Sequence, residues 1–300
     1  MAEFLPQSGR SPHLCRASLK PEAGRARCGL RAFFRDGVSG RLFCVLHSPP
    51  PDVPVRGSFV YLHPFAEEMN KSRRMAALGA RSLARAGYHV LSQDAFGCGD
   101  SEGEFRDATW RTWVEDAVGA VNWLAAETGQ TTGIWGLRAG CLIASAALPL
   151  LESTAQLLYW QPVVSGKQHL QQFLRLRMAG AMLDAQGSGA DLAKETRSVL
   201  DAGGTVEIAG YALTGELATA LQAAQCDPAV SVASLGWFEV SGAESPALSP
   251  ASQRSVDAWR AAGWQVDAFA VSGPSFWQTQ EIEDAPGLVA GTIELLGAAA

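Results

Sequence analysis

Histidine is scarce in this chain of 300 residues. There are five, His13, His47, His63, His89 and His169, and none follows position 169. Acid–base chemistry late in the chain must therefore rely on other side chains. Cysteine occurs six times, at Cys15, Cys28, Cys44, Cys98, Cys141 and Cys226, and never with C-x-x-C spacing. That argues against a zinc site or a disulfide framework, and reduced thiols in the cytoplasm are the expectation. Positive charge is not in excess. With 24 Lys and Arg against 30 Asp and Glu the net charge is -6, which gives no sign of nucleic-acid binding. The longest apolar run follows Arg138 and reaches Leu151, interrupted by Pro149, too short to span a bilayer. The first thirty positions carry Arg10, Arg16, Lys20, Glu22, Arg25 and Arg27, with no apolar stretch resembling a signal peptide. There is no internal repeat and no motif that calls for a metal or an organic cofactor. The expectation is a soluble, cytoplasmic protein without cofactor.

What the chain does have is a glycine frame at Gly136 and Gly140, in the sequence WGLRAG over 135–140. G-x-S-x-G at the junction of a strand and a helix is a nucleophile elbow. The glycines are there because side chains would collide with the strand and helix on either side. Here Arg138 stands where the serine belongs. The scaffold of a serine nucleophile is present and its nucleophile is not.

Hydrophobic patterning places this motif. Residues 1–30 are polar, basic and rich in small residues, and read as a flexible arm. Strands are expected over 41–47 and 58–63, the second continuously apolar as in a parallel strand covered on both faces. A loop from His63 to Asn70 follows, then a helix over 73–86 and a strand over 88–94. A glycine-rich loop occupies 97–103. Trp110, Trp113, Val114, Ala117, Val121 and Leu124 mark an amphipathic helix over 110–126. The elbow strand covers 133–135, its helix 139–148, and another strand 156–160. Strands alternating with helices of this length mean a parallel sheet, and ligands bind at the C-terminal ends of its strands. His63, Phe96 to Gly103, Arg138 and Gln161 all fall at such ends. Residues 165–230 read as mostly helical, a cap over that rim. Strands resume at 234–240 and 265–271, with helices over 252–262 and 287–296.

The segments His63-Pro64, DAFGCGDSEG over 94–103 and GLRAG over 136–140 resemble the α/β-hydrolase superfamily. WGLRAG over 135–140, YWQPV over 159–163, QFLRLR over 172–177, AGY over 209–211 and FWQTQEI over 276–282 are similar to the exosortase A system-associated hydrolase 2 family. These are bacterial proteins found with PEP-CTERM sorting and exopolysaccharide systems. The resemblance runs from about residue 35 to the C-terminus. It implies a doubly wound, mostly parallel α/β-hydrolase sheet with a helical cap insertion, and a hydrolase label. The core is expected over 31–164 and 231–300, and the cap over 165–230.

The superfamily order of catalytic groups is nucleophile, acid, histidine. Arg138 fills the first slot, and a guanidinium has no lone pair to attack a carbonyl. Glu244 is the candidate for the second. The third falls within 272–277, SGPSFW, which holds no histidine. Substitutes each carry two readings. Cys141, near a helix start, is a thiol candidate or a core residue. Ser101 is a loop hydroxyl nucleophile or a turn cap. His63 is an acid–base group beside the oxyanion position, or it orders its loop with Glu67 or Asp94. Asp94 and Asp100 are a carboxylate pair, or Asp94 is structural.

Arg138 lies at a helix N-terminus, where the dipole disfavours a cation by about 0.3–1 kcal/mol. One reading has it binding an anionic small molecule, a phosphate or carboxylate, together with the helix-start N–H groups, with Arg73 or Arg74 assisting. The other pairs it internally with Glu67, Glu68, Asp100 or Glu244. The ligand-contacting set of the first reading is Arg138, Leu137, Ala139, His63, Phe65, Ser101 and Gln161. Two functions follow. One is a pseudoenzyme that binds an anionic ligand or a protein of the exosortase and polysaccharide systems. The other is a hydrolase of an ester, thioester or acyl substrate working through His63.

Overall fold

A computed structural model describes residues 28–152, 156–183, 189–229 and 233–298. Eight strands form one sheet. They are β1 (Gly29–Asp36), β2 (Arg41–Ser48), β3 (Gly57–Leu62), β4 (Tyr88–Gln93), β5 (Thr132–Leu137), β6 (Gln156–Trp160), and the later pair Ser234–Ser241 and Gln265–Ser272. Between β6 and that pair the chain makes a separate two-stranded hairpin, β7 (Thr205–Ile208) and β8 (Tyr211–Thr214), so the pair is β9 and β10. The order across the large sheet is β1-β2-β4-β3-β5-β6-β9-β10. β1, β2 and β4 meet antiparallel, and all other neighbours run parallel.

β3 and β5 lie at the centre, and every residue of both is buried. This accounts for their continuous apolar sequences, since helices cover both faces of a parallel sheet. One face packs on α1 (Glu67–Arg85) and α8 (Pro286–Ala298). The other packs on α2 (Trp110–Thr128) and α3 (Gly140–Ala147). Inserted between β6 and β9 are α4 (Gly166–Leu183), α5 (Gly189–Asp201), the hairpin and α6 (Gly215–Ala223), and α7 (Pro250–Ala261) joins β9 to β10.

The insertion expected to be helical over 165–230 thus also contains a hairpin. Its strands are four residues each, too short for period-two patterning to stand out. β1 begins at Gly29, inside the span expected to be an arm, and the rest of that arm, up to residue 27, lies outside the described residues. β1 is an edge strand with charged ends, where Arg31 pairs with Glu127 and lies over Phe33 and Trp123. Such a strand lacks the apolar run that betrays an inner one. α1 starts six residues before the expected position. Glu67 and Glu68 form its first turn, where carboxylates complement the helix dipole.

The elbow is anchored from behind by an aromatic cluster. Tyr61 of β3, Trp135 of β5 and Trp160 of β6 pack in tilted and edge-on contacts, with centroids 4.5 Å apart at each step. The Trp160 indole N–H donates to Thr292 Oγ1 at 2.9 Å. α1 approaches this cluster closely enough that a Cβ at Gly79 would lie 2.6 Å from Trp135 and 2.7 Å from Trp160. Gly79→Leu should therefore destabilise the protein by about 1–3 kcal/mol through overpacking. Urea unfolding reads this, and an unchanged midpoint would mean that α1 is free to move away from the sheet.

Candidate functional site

The sharp turn after β5 has the geometry its glycines foreshadow. A Cβ at Gly136 would sit 2.9 Å from Cys141 N and Cα, and one at Gly140 would strike the Leu62 carbonyl. Arg138 itself has φ 55°, a left-handed conformation that strains a residue with a side chain. Backbone bonds hold it there: its N–H donates to Trp160 O at 3.0 Å, and its carbonyl accepts from Cys141 N at 3.1 Å.

The guanidinium is turned onto Glu68. Arg138 Nε donates to Glu68 Oε2 at 3.1 Å, and Nη2 donates to Oε1 at 3.0 Å. Both side chains are about nine-tenths buried. β3 and β5 are adjacent and parallel, with Leu62 opposite Gly136, so the helices that follow them start side by side. Glu68 belongs to one helix start and Arg138 to the other. The carboxylate is favoured by both positive helix ends and offsets the cation that one of them disfavours. Trp277 lies over the guanidinium, with Arg138 Cζ 5.2 Å from its ring centroid. It comes from the segment 272–277, where the superfamily order places the histidine.

This pairing is the internal one of the two readings given for Arg138. Of the four carboxylates considered, Glu68 is the partner. Glu244 is exposed on the bend after β9, away from the buried pair. Arg73 binds Asp94 through both carboxylate oxygens, at 3.2 and 2.9 Å, and Arg74 binds Asp284, so neither assists Arg138.

The other rim residues are turned into the loops. His63 Nδ1 donates to Pro64 O at 2.6 Å, and Nε2 accepts from Ala95 N at 3.1 Å. Burial pulls its pKa down and favours the neutral ring. Both ring nitrogens are thus hydrogen-bonded to main chain, and neither Glu67 nor Asp94 hydrogen-bonds to it. Ser101 Oγ donates to Asp94 O at 2.6 Å and accepts from Phe43 N at 2.9 Å, tying the glycine-rich loop to β2. Gln161, at φ 45°, bridges to β9, its Oε1 accepting from Val240 N at 2.6 Å. Asp94 is structural, held by Arg73 and by Asp100 N, while Asp100 itself is exposed. Cys141 is fully buried, and burial pushes its thiol pKa well up, so it is a core residue. Leu137 and Ala139 are buried beside Arg138.

Phe65 is buried and makes edge contacts with Phe105, Trp113, His169 and Phe173. Next to it, between the first turn of α1 and α4, lies a cavity of about 290 Å³, bounded by Glu67, Glu68, Lys71, His169, Phe173 and Leu176. His169 is the residue the sequence did not single out. It sits on the buried face of α4 with Leu170 and Phe173, and that apolar neighbourhood was its signal. Burial lowers its pKa to about 4, with Glu68 raising it and Arg138 lowering it by smaller amounts. A larger groove, about 620 Å³, runs between β10 and α8, three strands away from β5. Among the described residues no group of ligating side chains suits a metal ion, and no helix is long and apolar enough to cross a membrane.

The sheet order, the elbow between β5 and α3 and the insertion after β6 define an α/β-hydrolase fold. The chain belongs to the X-Pro dipeptidyl-peptidase (S15) family, whose model matches residues 57–273. Human Protein ABHD12B is 36% identical over 94 residues, covering 31% of this chain and 25% of that protein. The chain thus spans about a quarter of the length of this curated relative. Among solved structures, Est1E from Butyrivibrio proteoclasticus with ferulic acid bound superposes with TM-score 0.64 at 14% identity, over 89% of this chain and 98% of that one. A thermostable carboxyl esterase from Bacillus coagulans in complex with glycerol gives TM-score 0.59 at 11% identity, over 90% and 98%. At such identities the likeness is one of fold.

Removing one partner of a buried ion pair strands the other. Arg138→Ala and Glu68→Ala should each destabilise by about 3–5 kcal/mol, whereas Arg138→Leu with Glu68→Leu should recover most of the loss. Urea midpoints of the three variants test this, and wild-type midpoints in both single variants would show the pair to be unimportant. His169 imposes a pH dependence. Its folded pKa of about 4 lies below the usual 6.5, so the unfolded chain binds the proton first. Stability is full above pH 6.5 and is lost as pH falls toward 4. Burial lowers His47, His63 and His89 in the same direction, while Glu67, raised by burial, acts in the opposite sense above pH 4.5. The melting temperature should fall between pH 7 and pH 5, less steeply in His169→Phe. An identical slope in that variant would remove His169 from the account.

Proposed function

We propose that this protein is a pseudoenzyme, an α/β-hydrolase fold that binds rather than cleaves. The observation that carries the reading is Arg138 on the elbow, its guanidinium held by Glu68 inside the old active site. A protonated guanidinium is no nucleophile, and no histidine follows residue 169 to act as base. The other routes to acyl transfer are closed by the same inward turning of side chains. His63 has both nitrogens occupied, Ser101 is bonded on its hydroxyl, and the Cys141 thiol is protonated in the core. Hydrolysis of an ester, thioester or acyl substrate through His63 is the reading that the fold's esterase relatives favour, and these contacts weigh against it.

The cavity under α4 and the segment 165–230 that carries it form, in this reading, the cap of the binding site, standing on a core of 31–164 and 231–300. The segments resembling the exosortase A system-associated hydrolase 2 family support a cytoplasmic setting beside the sorting and exopolysaccharide machinery, with a protein of that machinery as partner. An anionic ligand loses its support, because Glu68 already neutralises Arg138.

The test is fluorophosphonate labelling together with turnover of p-nitrophenyl acyl esters and an X-Pro p-nitroanilide. Wild type should show neither labelling nor turnover above the uncatalysed rate. Arg138→Ser should gain none, since no base accompanies the new hydroxyl. Labelling of the wild type, or turnover that falls in His63→Ala, overturns the proposal.

A further inference from the structure

We propose that the cavity beneath α4 is a binding site for a small uncharged molecule bearing hydroxyl groups. The inference rests on the non-catalytic reading in one respect: the Arg138–Glu68 pair is taken as a permanent wall of the site rather than as reacting groups.

Three observations lead to it. First, two of the residues that line the cavity carry buried polar atoms without protein partners. His169 is 4% exposed, and neither of its ring nitrogens has a hydrogen-bond partner. The same holds for Glu67 Oε2. Both residues line the cavity. Buried polar groups are ordinarily satisfied, and a cluster that is not points to something the folded chain itself does not supply. Second, the charges balance within the walls. Glu68 is neutralised by Arg138, and Lys71, whose Nζ donates to Gln278 O at 3.4 Å, stands one helical turn from Glu67, where its charge partly offsets the burial that raises the Glu67 pKa. A net-charged guest would leave one of these pairs unbalanced in a desolvated space, at a cost that hydrogen bonds alone do not offset. Third, the open hydrogen-bonding positions are mixed. A neutral imidazole offers one N–H and one lone pair, and Glu67 Oε2 accepts. A hydroxyl both donates and accepts, so one or two of them can satisfy the set.

The remaining walls agree. Phe65, Phe173 and Leu176 give an apolar side against which a C–H face packs. At about 290 Å³ the cavity stands at the small end of ligand sites, which begin near about 300 Å³. A compound the size of a polyol or a monosaccharide fits it.

The experiment titrates the intact protein with glycerol and with glucose, and in parallel with acetate, inorganic phosphate and methylammonium. The ring-nitrogen resonances of His169 are followed by NMR. Glycerol or glucose should shift them saturably, and the charged probes should not. His169→Phe and Glu67→Ala should each weaken binding about tenfold or more, as expected for lost hydrogen bonds in a buried site. Leu176→Trp, at the exposed rim, should weaken it by filling the space, and keeps the test decisive if His169→Phe does not fold. No saturable shift with either neutral probe, preference for a charged one, or unchanged affinity in Leu176→Trp overturns the proposal. Ester turnover measured in the same samples separates the two readings. Turnover with intact glycerol or glucose binding overturns the non-catalytic one alone, whereas neither turnover nor binding overturns this one alone.

Discussion

The buried pair of Arg138 and Glu68 is the contact on which the rim of the sheet depends. β3 and β5 are neighbours, so the helices that follow them begin side by side, each presenting a positive end. A cation placed alone between two such ends would be disfavoured twice, by the dipoles and by loss of water. Glu68 answers both, because it is the charge that each helix start prefers. The face of Trp277 adds a third favourable contact to the guanidinium. The result fills the top of the elbow with a neutralised, buried pair.

The backbone around the pair keeps the tension of an active site. Ala66, Arg138 and Gln161 follow β3, β5 and β6, and all three have positive φ. Such conformations persist only where the surroundings over-determine them. Here they are held by a ladder of main-chain bonds: Arg138 N to Trp160 O, Gln161 N to Phe238 O, and Met69 N to Ala66 O. Strain of this kind presents a side chain at the top of the sheet. In this chain the presented side chain is bonded back into the protein.

The same inward turn accounts for the other polar residues of the rim. His63 ties the loop after β3 to the loop after β4, Ser101 and Asp94 close the glycine-rich turn, and Gln161 joins β6 to β9. In sequence they resemble catalytic groups because they are hydrogen-bonding residues at strand ends, and in space they are the ties between strand ends. Among the unpartnered buried polar atoms of the described residues, those of His169 and Glu67 belong to residues that line the cavity under α4. The cavity and the elbow are therefore neighbours without being the same place.

Much of this was legible in the chain itself. Continuous apolar runs determined which strands are central, glycines at 136 and 140 determined the elbow, and the missing histidine after 169 was visible by inspection. These are local or compositional properties: burial on both faces leaves its mark on every residue of a strand, and a tight turn leaves its mark as glycine. The choice of Glu68 over Glu67, Asp100 or Glu244 was not legible, because four carboxylates of equal chemistry were available and only the start of α1 brings one within bonding distance of Arg138. Nor was the occupation of both His63 nitrogens, which depends on a backbone N–H thirty-two positions away. The hairpin in the insertion, the edge strand β1 and the burial of His169 were likewise decided by tertiary packing. Short strands carry too little pattern to announce themselves, and a histidine on an apolar helix face looks the same in sequence whether it lines a cavity or fills a core.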